Sequence, residues 1–295
     1  MSFGLRDADF DSPRELKRVL DAEGLTVKKR FGQNFLINSD ARSRIVDSLE
    51  IQGGELVWEI GPGIGSLTNK LVEKNIRLTV FEIDHGFARV LKRAYSSNDD
   101  FVIVEGDFIK TWQGTRDRSG EPDLIVGNLP YSCAAAIFLS LIEGRIGARK
   151  IICTVQREAA LRMTARPGNP EYSSFSVLCA LTWHVERLGD LKAGSFYPPP
   201  RVRSTIISLK PRKRTPLLPA GELLDGVRGI FAGRRKTIKN NLRMVMSKTG
   251  IESDKLLEEA ARNGFDLGER PETLAPERVE DLLVIVRRYL DASGD

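Results

Sequence analysis

The sequence predicts an α/β protein: a Rossmann-like domain with a mostly parallel sheet and an antiparallel last strand, followed by a small all-helical C-terminal domain. Three observations carry this. Apolar runs of strand length recur at residues 56–60, 77–83, 101–105, 124–126 and 150–156, and most end abruptly in glycine, an acid or proline. Helical patterning follows the runs that end near residues 60 and 156. Beyond about residue 215 no strand signal remains, and helices are expected at 222–231, 235–246, 253–263 and 276–290. With 295 residues, 41% hydrophobic and 29% charged, the chain can bury a full core and form two domains.

Composition narrows the class. No apolar run approaches the ~18 residues of a membrane span. The start, MSFGLRDADF, lacks a basic stretch leading into an apolar one, so no signal peptide is expected and a cytoplasmic protein is. Cys133, Cys153 and Cys179 stand among apolar neighbours without disulfide or metal spacing. His85 and His184 are the two histidines, too far apart in sequence to propose a histidine-based metal site, and no metal is expected. The formal charge of +5 is modest but uneven. It concentrates at Lys28, Lys29 and Arg30, between Arg201 and Arg214 with Arg203, and at Arg234, Arg235 and Lys236 with Lys239 and Arg243. Such clusters suit a phosphate backbone, although a lone charge run more often marks a solvated face.

In chain order, residues 1–27 form an N-terminal extension with a short helix over 12–20, where Ser12 caps and Pro13 takes the first helical position. Residues 28–36 mix cations, aromatics and amides without a regular period, as suits a lid over a small ligand. A helix follows over 40–49. The strand at 56–60 runs into Gly61-Pro62-Gly63-Ile64-Gly65, and glycines at a strand-to-helix turn let the backbone approach a nucleotide-like ligand. The second strand closes in Glu82 and Ile83, about twenty residues on, where an acid accepts hydrogen bonds from ribose hydroxyls. The third ends in Gly106-Asp107-Phe108, a carboxylate for an adenine amino group beside an apolar wall. The fourth ends in Asn128-Leu129-Pro130-Tyr131. Any one of these is ordinary turn chemistry; the ordered set of four points to S-adenosylmethionine, with S-adenosylhomocysteine as product. Strands at 182–188 and 202–210 bracket the stiff Phe196-Tyr197-Pro198-Pro199-Pro200 segment. The expected domains are 1–27, 28–210, a linker over 211–219 rich in proline and basic residues, and 220–295.

The fourth strand end carries the chemistry. An exocyclic adenine or cytosine nitrogen is a poor nucleophile because its lone pair is delocalised into the ring. Acceptors holding its two N–H protons, here the Asn128 side-chain oxygen and a main-chain carbonyl near Leu129, favour a pyramidal nitrogen and free the lone pair. Tyr131 would stack on the base, and Phe196 either covers its other face or anchors its own loop in the core.

The stretches FGQNFL, EIGPGIG, FEID, GDF, NLPY, FYPPPRVRS and FAGRRKTIKNNL resemble the small-subunit rRNA adenine dimethyltransferases, the kasugamycin-sensitivity (KsgA) family, over nearly the whole chain. The resemblance implies N6,N6-dimethylation of two adjacent adenosines near the 3′ end of 16S rRNA in the assembling small subunit. By position it implies cofactor contacts from Asn34, Leu36, Gly61, Glu82, Asp107 and Asn128. It implies a target pocket of Asn128, Leu129, Pro130, Tyr131 and Phe196, and docking of the basic helical domain on rRNA. Ser173, where a glycine is expected after Tyr172, puts a loop shape in doubt. Three alternatives stay open: a large-subunit adenine methyltransferase conferring macrolide resistance, a DNA amino-methyltransferase, and an assembly factor that keeps the fold without turnover. With no exposed heptad or long apolar edge, a monomer is expected.

Overall fold

The structure, a computed structural model, describes residues 5, 8–27, 32–233, 235–247, 249 and 251–293. The elements follow in order: α1 (Pro13–Ala22), β1 (Phe35–Leu36), α2 (Ser39–Asp47), β2 (Glu55–Ile60), α3 (Thr68–Leu71), β3 (Ile76–Glu82), α4 (His85–Ala94), β4 (Phe101–Glu105), α5 (Phe108–Ser119) and β5 (Leu124–Asn128). After these come α6 (Ala134–Glu143), β6 (Lys150–Gln156), α7 (Arg157–Met163), α8 (Ser174–Thr182), β7 (Trp183–Leu191), β8 (Phe196–Tyr197) and β9 (Ser204–Pro211). The chain closes with α9 (Ala220–Ile230), α10 (Ile238–Met246), α11 (Asp254–Arg262) and α12 (Pro276–Ser293).

Seven strands form one sheet in the order β4-β3-β2-β5-β6-β9-β7. The first five pair in parallel, and β9 runs antiparallel to β6. A parallel sheet is covered on both faces, which is why β2 and β5 read as continuous apolar runs and are buried along almost their whole length. One face packs Val57, Leu78, Val80, Leu124, Val126 and Ile152 against Ile45, Leu49 and Leu67. On the other, Trp58, Phe81 and Phe108 meet edge to face at centroid distances of 5.0 and 4.9 Å, with Trp112 beside them donating from its indole N–H to Ser140 Oγ at 2.9 Å.

The chain divides into two compact units. One takes the chain up to Leu141 with Ile146–Ala160 and Glu186–Pro211; the other takes Ile142–Arg145, Leu161–Val185 and everything from Arg212 on. This differs from the expected boundaries in three ways. Residues 1–27 do not stand apart: Leu16, Val19 and Leu20 of α1 share a core with Phe35, Ile64, Phe87 and Tyr95. Ser12 caps α1 as expected, accepting from the Glu15 N–H at 3.3 Å.

Residues 161–185 group with the C-terminal helices rather than with 28–210. The cause is α8, apolar nearly all round, whose Phe175, Val177, Leu178 and Leu181 are all buried and which packs against α9 and α12. Beside it the Tyr172 hydroxyl donates to Leu274 O at 2.9 Å, and its ring meets Phe231 edge to face. Ser173 is extended at φ −157°, a backbone any residue adopts, and its N–H donates to Ser176 Oγ at 3.1 Å, so glycine is not needed there.

The 211–219 segment is likewise no free linker. Arg212 pairs with Glu277 at 2.7 Å, Arg214 with the buried Glu280 at 2.9 Å, and the Leu217 N–H donates to Glu280 at 2.6 Å. A buried carboxylate needs such partners, and Glu280 thereby fixes the segment to α12.

Gly127 in the middle of β5 has no room for a side chain, because a Cβ there would lie 2.7 Å from the Ile60 carbonyl oxygen. Gly127→Ala is expected to cost about 1–3 kcal/mol by overpacking, read as a lower urea midpoint at unchanged slope.

Candidate active site

The sheet order places a topological switch at its centre, because β3 lies on one side of β2 and β5 on the other. Open α/β sheets bind ligands outside the carboxyl ends of the strands at such a point. Here the chain brings together the Gly61–Gly63 turn after β2, Glu82 ending β3, Asp107 after β4 and Asn128 ending β5. They surround an elongated cleft of two compartments, with about 550 and 400 Å³ of open space, that share Gly61, Ile83 and Pro130.

The first compartment is polar at its floor. Glu82 is buried; one of its oxygens accepts from the Gly63 N–H at 2.9 Å and the other from the Asp84 N–H at 2.8 Å. Those bonds fix the carboxylate while leaving lone pairs for hydroxyl donors. Gly61 and Gly63 sit in the left-handed region at φ +68° and +56°, and a Cβ on Gly63 would strike the Phe35 ring. The compartment also contains Glu59, which opens the EIGPGIG stretch but was not among the expected site residues. It is 1% exposed, and its carboxylate accepts from Thr68 Oγ1 at 2.7 Å. A charged residue inside the apolar strand Leu56-Val57-Trp58-Glu59-Ile60 was the available signal, since buried acids are rare without a role. Burial pushes Glu82 up to about 7 against its main-chain donors. Burial, reinforced by the charge of Glu82, pushes Glu59 up to about 8.

The second compartment is apolar apart from one acid. Ile83 is 42% exposed, unusual for isoleucine, and borders both compartments; Phe108, Ile109 and Ile137 complete the wall. Asp107 caps α5 through one oxygen, which accepts from the Ile109 N–H at 3.0 Å. Its second oxygen is available to an amino group. The Cys133 thiol is held above its usual range by burial and by Asp107. A buried acid on main-chain donors, glycines without side chains, a flat apolar wall and a single acid beside it fit the ribose and adenine of S-adenosylmethionine.

Asn128 lines the first compartment, and its Nδ2 donates to the Asn34 carbonyl at 2.6 Å. A carbonyl can only accept, so the amide nitrogen faces Asn34 and Oδ1 is left as an acceptor. Asn34 is itself held by its side chain, which donates to Gly32 O at 2.9 Å. The Leu129 side chain is buried and its N–H donates to Thr154 O at 3.1 Å, which ties the turn to β6. Pro130 borders both compartments. Tyr131 is half-buried, lines neither, and bonds its hydroxyl to Ser204 Oγ at 2.5 Å.

Leu129 and Tyr131 thus border the turn without lining either compartment, and two further expected site residues, Phe196 and Leu36, lie in the core. Phe196 is 2% exposed, packs in the core with Leu36, Leu191 and Ile206, and lines neither compartment. Leu36 is fully buried in the same cluster and does not line the cleft either. The cause is a two-stranded ribbon, β1 with β8, whose register sets Leu36 opposite Phe196 and turns both inward.

Of the basic residues, Lys28, Lys29, Arg30 and Arg234 lie outside the described residues. Arg201, Arg203, Arg235 and Lys236 are exposed and make no ion pair among the described residues, whereas Arg243 pairs with Asp254 at 3.1 Å. Arg235 and Lys236 precede α10 instead of lying on it, because Thr237 caps that helix. Their loop is shaped by the fully buried Asn241, whose side-chain oxygen accepts from the Gly233 N–H at 2.8 Å and whose amide donates to the carbonyls of Gly233, Lys236 and Thr237.

The profile of the family described as Ribosomal RNA adenine dimethylase matches residues 24–263. Two proteins named Ribosomal RNA small subunit methyltransferase A are similar over most of their length. That of Treponema denticola is 39% identical over 276 residues, 92% of this chain and 94% of its own. That of Borrelia garinii subsp. bavariensis is 34% identical over 91% of this chain and 92% of its own. Among solved structures, a dimethyladenosine transferase from Plasmodium falciparum aligns at TM-score 0.72 and 23% identity over 85% of this chain and 96% of its own. The 23S rRNA methyltransferase ErmE aligns at TM-score 0.60 and 24% identity over 86% and 100%. At these identities the two structures share the fold, and the fold alone does not separate their substrates.

The buried acids generate a pH dependence. A carboxyl whose folded value is raised contributes stability below its unfolded value, and that contribution is lost as pH rises through the folded value. Without ligand the protein should therefore melt at progressively lower temperature between pH ~4.5 and about 8, the interval bounded by the unfolded and raised values of Glu59 and Glu82. Glu59→Gln should flatten much of that decline, measured as melting temperature against pH.

Proposed function

The chain belongs to the ribosomal RNA adenine dimethylase family, and on that premise we propose that it N6,N6-dimethylates two adjacent adenosines in the loop near the 3′ end of 16S rRNA. It is an S-adenosylmethionine-dependent rRNA adenine dimethyltransferase. The finer substrate, the moment of reaction during small-subunit assembly in the cytoplasm, and the roles of individual residues are our reading. The observation that carries it is the fixed orientation of Asn128, whose amide nitrogen is spent on the Asn34 carbonyl.

Residues of the cleft divide the ligand between them. Glu82 would take the ribose hydroxyls, Asp107 the adenine amino group, and Ile83 with Phe108 the faces of the base, while the Gly61–Gly63 backbone allows close approach. When bound, S-adenosylmethionine supplies a methyl group made electrophilic by its sulfonium.

The protein's own contribution is to place and prepare the nucleophile. The target adenine must leave its stack, which costs a few kcal/mol. Stacking on Tyr131 returns about 1–3 kcal/mol. With Phe196 in the core, Tyr131 is the aromatic of the expected pocket left to do this. Asn128 Oδ1 and a main-chain carbonyl near Leu129 accept the two N6 protons and free the lone pair. Holding N6 in line for attack can supply roughly 7–11 kcal/mol of the barrier. The methylated nitrogen is cationic and acidic, so it loses a proton to water and no strong base is needed. After the first round one N–H remains, so the second methylation proceeds with one of the two acceptors unpaired.

Docking is assigned to Arg201, Arg203, Arg235 and Lys236, whose exposed charges find no acidic partner among the described residues and so are available to phosphates.

The direct test is methyl incorporation into small subunits from a strain lacking the modification, followed by nucleoside mass analysis. N6,N6-dimethyladenosine in small-subunit RNA is expected; label confined to large-subunit RNA would replace the substrate assignment, and binding without label would leave an assembly factor. Asn128→Ala should abolish transfer while S-adenosylmethionine binding, read by calorimetry, largely survives. Reversing Arg235 and Lys236 to glutamate should weaken RNA binding and reduce the log–log salt slope by about 0.7–0.9 for each phosphate no longer neutralised.

A further inference from the structure

The base-stacking ring is gripped by a residue the proposed chemistry does not use. Tyr131 lies in the turn between β5 and α6, outside any strand ladder, and its side chain reaches across to the first residue of β9. There its hydroxyl and Ser204 Oγ stand 2.5 Å apart. Ser204 is 0% exposed, and its backbone is registered opposite Gln156 of β6. Its neighbours are fixed as well. Arg203 O accepts from the Arg157 N–H at 2.9 Å. The Thr205 hydroxyl donates to Asp190 at 2.7 Å, and the Arg157 Nε–H donates to the same carboxylate at 3.2 Å. The Ser204 hydroxyl is therefore a stationary anchor, and Tyr131 is a half-exposed side chain tied to it.

We infer that Ser204 is a positioning residue for the adenine-stacking ring, setting the plane of Tyr131 before the substrate base arrives. The inference rests on the reading of Tyr131 as the stacking platform. A phenolic O–H lies in the plane of its own ring and is more acidic than a serine hydroxyl, so the phenol donates. Donation to a stationary Oγ then fixes both the direction of the ring axis and the twist about it. Burial holds the Tyr131 phenol above its usual range, so it keeps the proton it donates. An untethered ring would keep its stacking area but spread over several orientations, and N6 would spend less time in line. The demand is greatest in the second methylation, where one hydrogen bond to N6 has gone.

The test compares the full-length protein with Ser204→Ala, Tyr131→Phe and the double variant on small subunits lacking the modification. Read together are kcat, KM for the particle, the ratio of mono- to dimethyladenosine, calorimetric affinity for S-adenosylmethionine, and melting temperature. Each single variant should lose about tenfold in kcat, the scale of one hydrogen bond, and release a larger share of monomethyladenosine. Cofactor affinity should stay at the wild-type value, and the double variant should be no worse than either single one, because both remove the same bond. Wild-type turnover and product ratio in Ser204→Ala, or losses that multiply in the double variant, would overturn the inference. Should Ser204→Ala fail to fold, Tyr131→Phe decides: impaired dimethylation at unchanged melting temperature supports the role, and wild-type behaviour removes it. Unlabelled small-subunit RNA with the wild-type protein would instead defeat the functional reading, and this inference with it.

Discussion

The hydrogen bond from Asn128 Nδ2 to the Asn34 carbonyl, at 2.6 Å, is the interaction on which the rest of the site depends. A strand-ending asparagine is otherwise free to rotate and to present either end of its amide. The bond converts a two-faced group into an acceptor pointing into the cleft. It requires a carbonyl in a defined place 94 residues earlier in the chain, and the β1–β8 ribbon supplies it. Asn34 immediately precedes β1, and β1 is held by pairing with β8 and by burial of Leu36 and Phe196 beneath it. Fully burying two such side chains contributes about 1.5–3 kcal/mol each. Two apolar residues that line neither compartment thus stabilise the position of an amide that lines the cleft.

The same arrangement explains why the segments at 32–36, 128–131 and 196–204 work as one assembly. Asn34 grips the first residue of the Asn128–Tyr131 turn, Leu129 is tied to β6, and Ser204 grips the last. β8 and β9 bracket the proline-rich stretch, so a loop long enough to move is anchored at both ends. Rigid anchoring suits chemistry that depends on placement, where the barrier is lowered by geometry and by fixed dipoles.

Electrostatics at the other end of the cleft work against the protein without its ligand. Glu59 and Glu82 are both buried, and each resists ionisation because of burial, with Glu82 adding repulsion at Glu59. Their hydrogen bonds to Thr68, Gly63 and Asp84 offset part of that cost but do not remove it. The site therefore gives up stability as pH rises and the two acids are driven to ionise, a trade common where function places acids out of water.

Much of this could be read from the chain alone, because it is encoded in local chemistry. Strand-length apolar runs determined the parallel sheet, glycines determined the turn after β2, and acids at strand ends marked Glu82 and Asp107, since each depends only on residues near it in sequence. Tertiary structure decided the rest. Phe196 and Leu36 look like site residues by position, yet the two-residue ribbon that turns them into the core is too short to leave a periodic signal. The 211–219 segment has a linker's composition, but buried Glu280, some sixty residues on, pins it to α12. Apolar α8 belongs with helices far along the chain because its own neighbours cannot cover it on every side. Glu59, Ser204 and Asn241 acquire their roles through partners that sequence order does not reveal. What a residue can do is set by its own atoms, but which partner satisfies a buried polar group or covers an apolar face is settled only when distant segments meet.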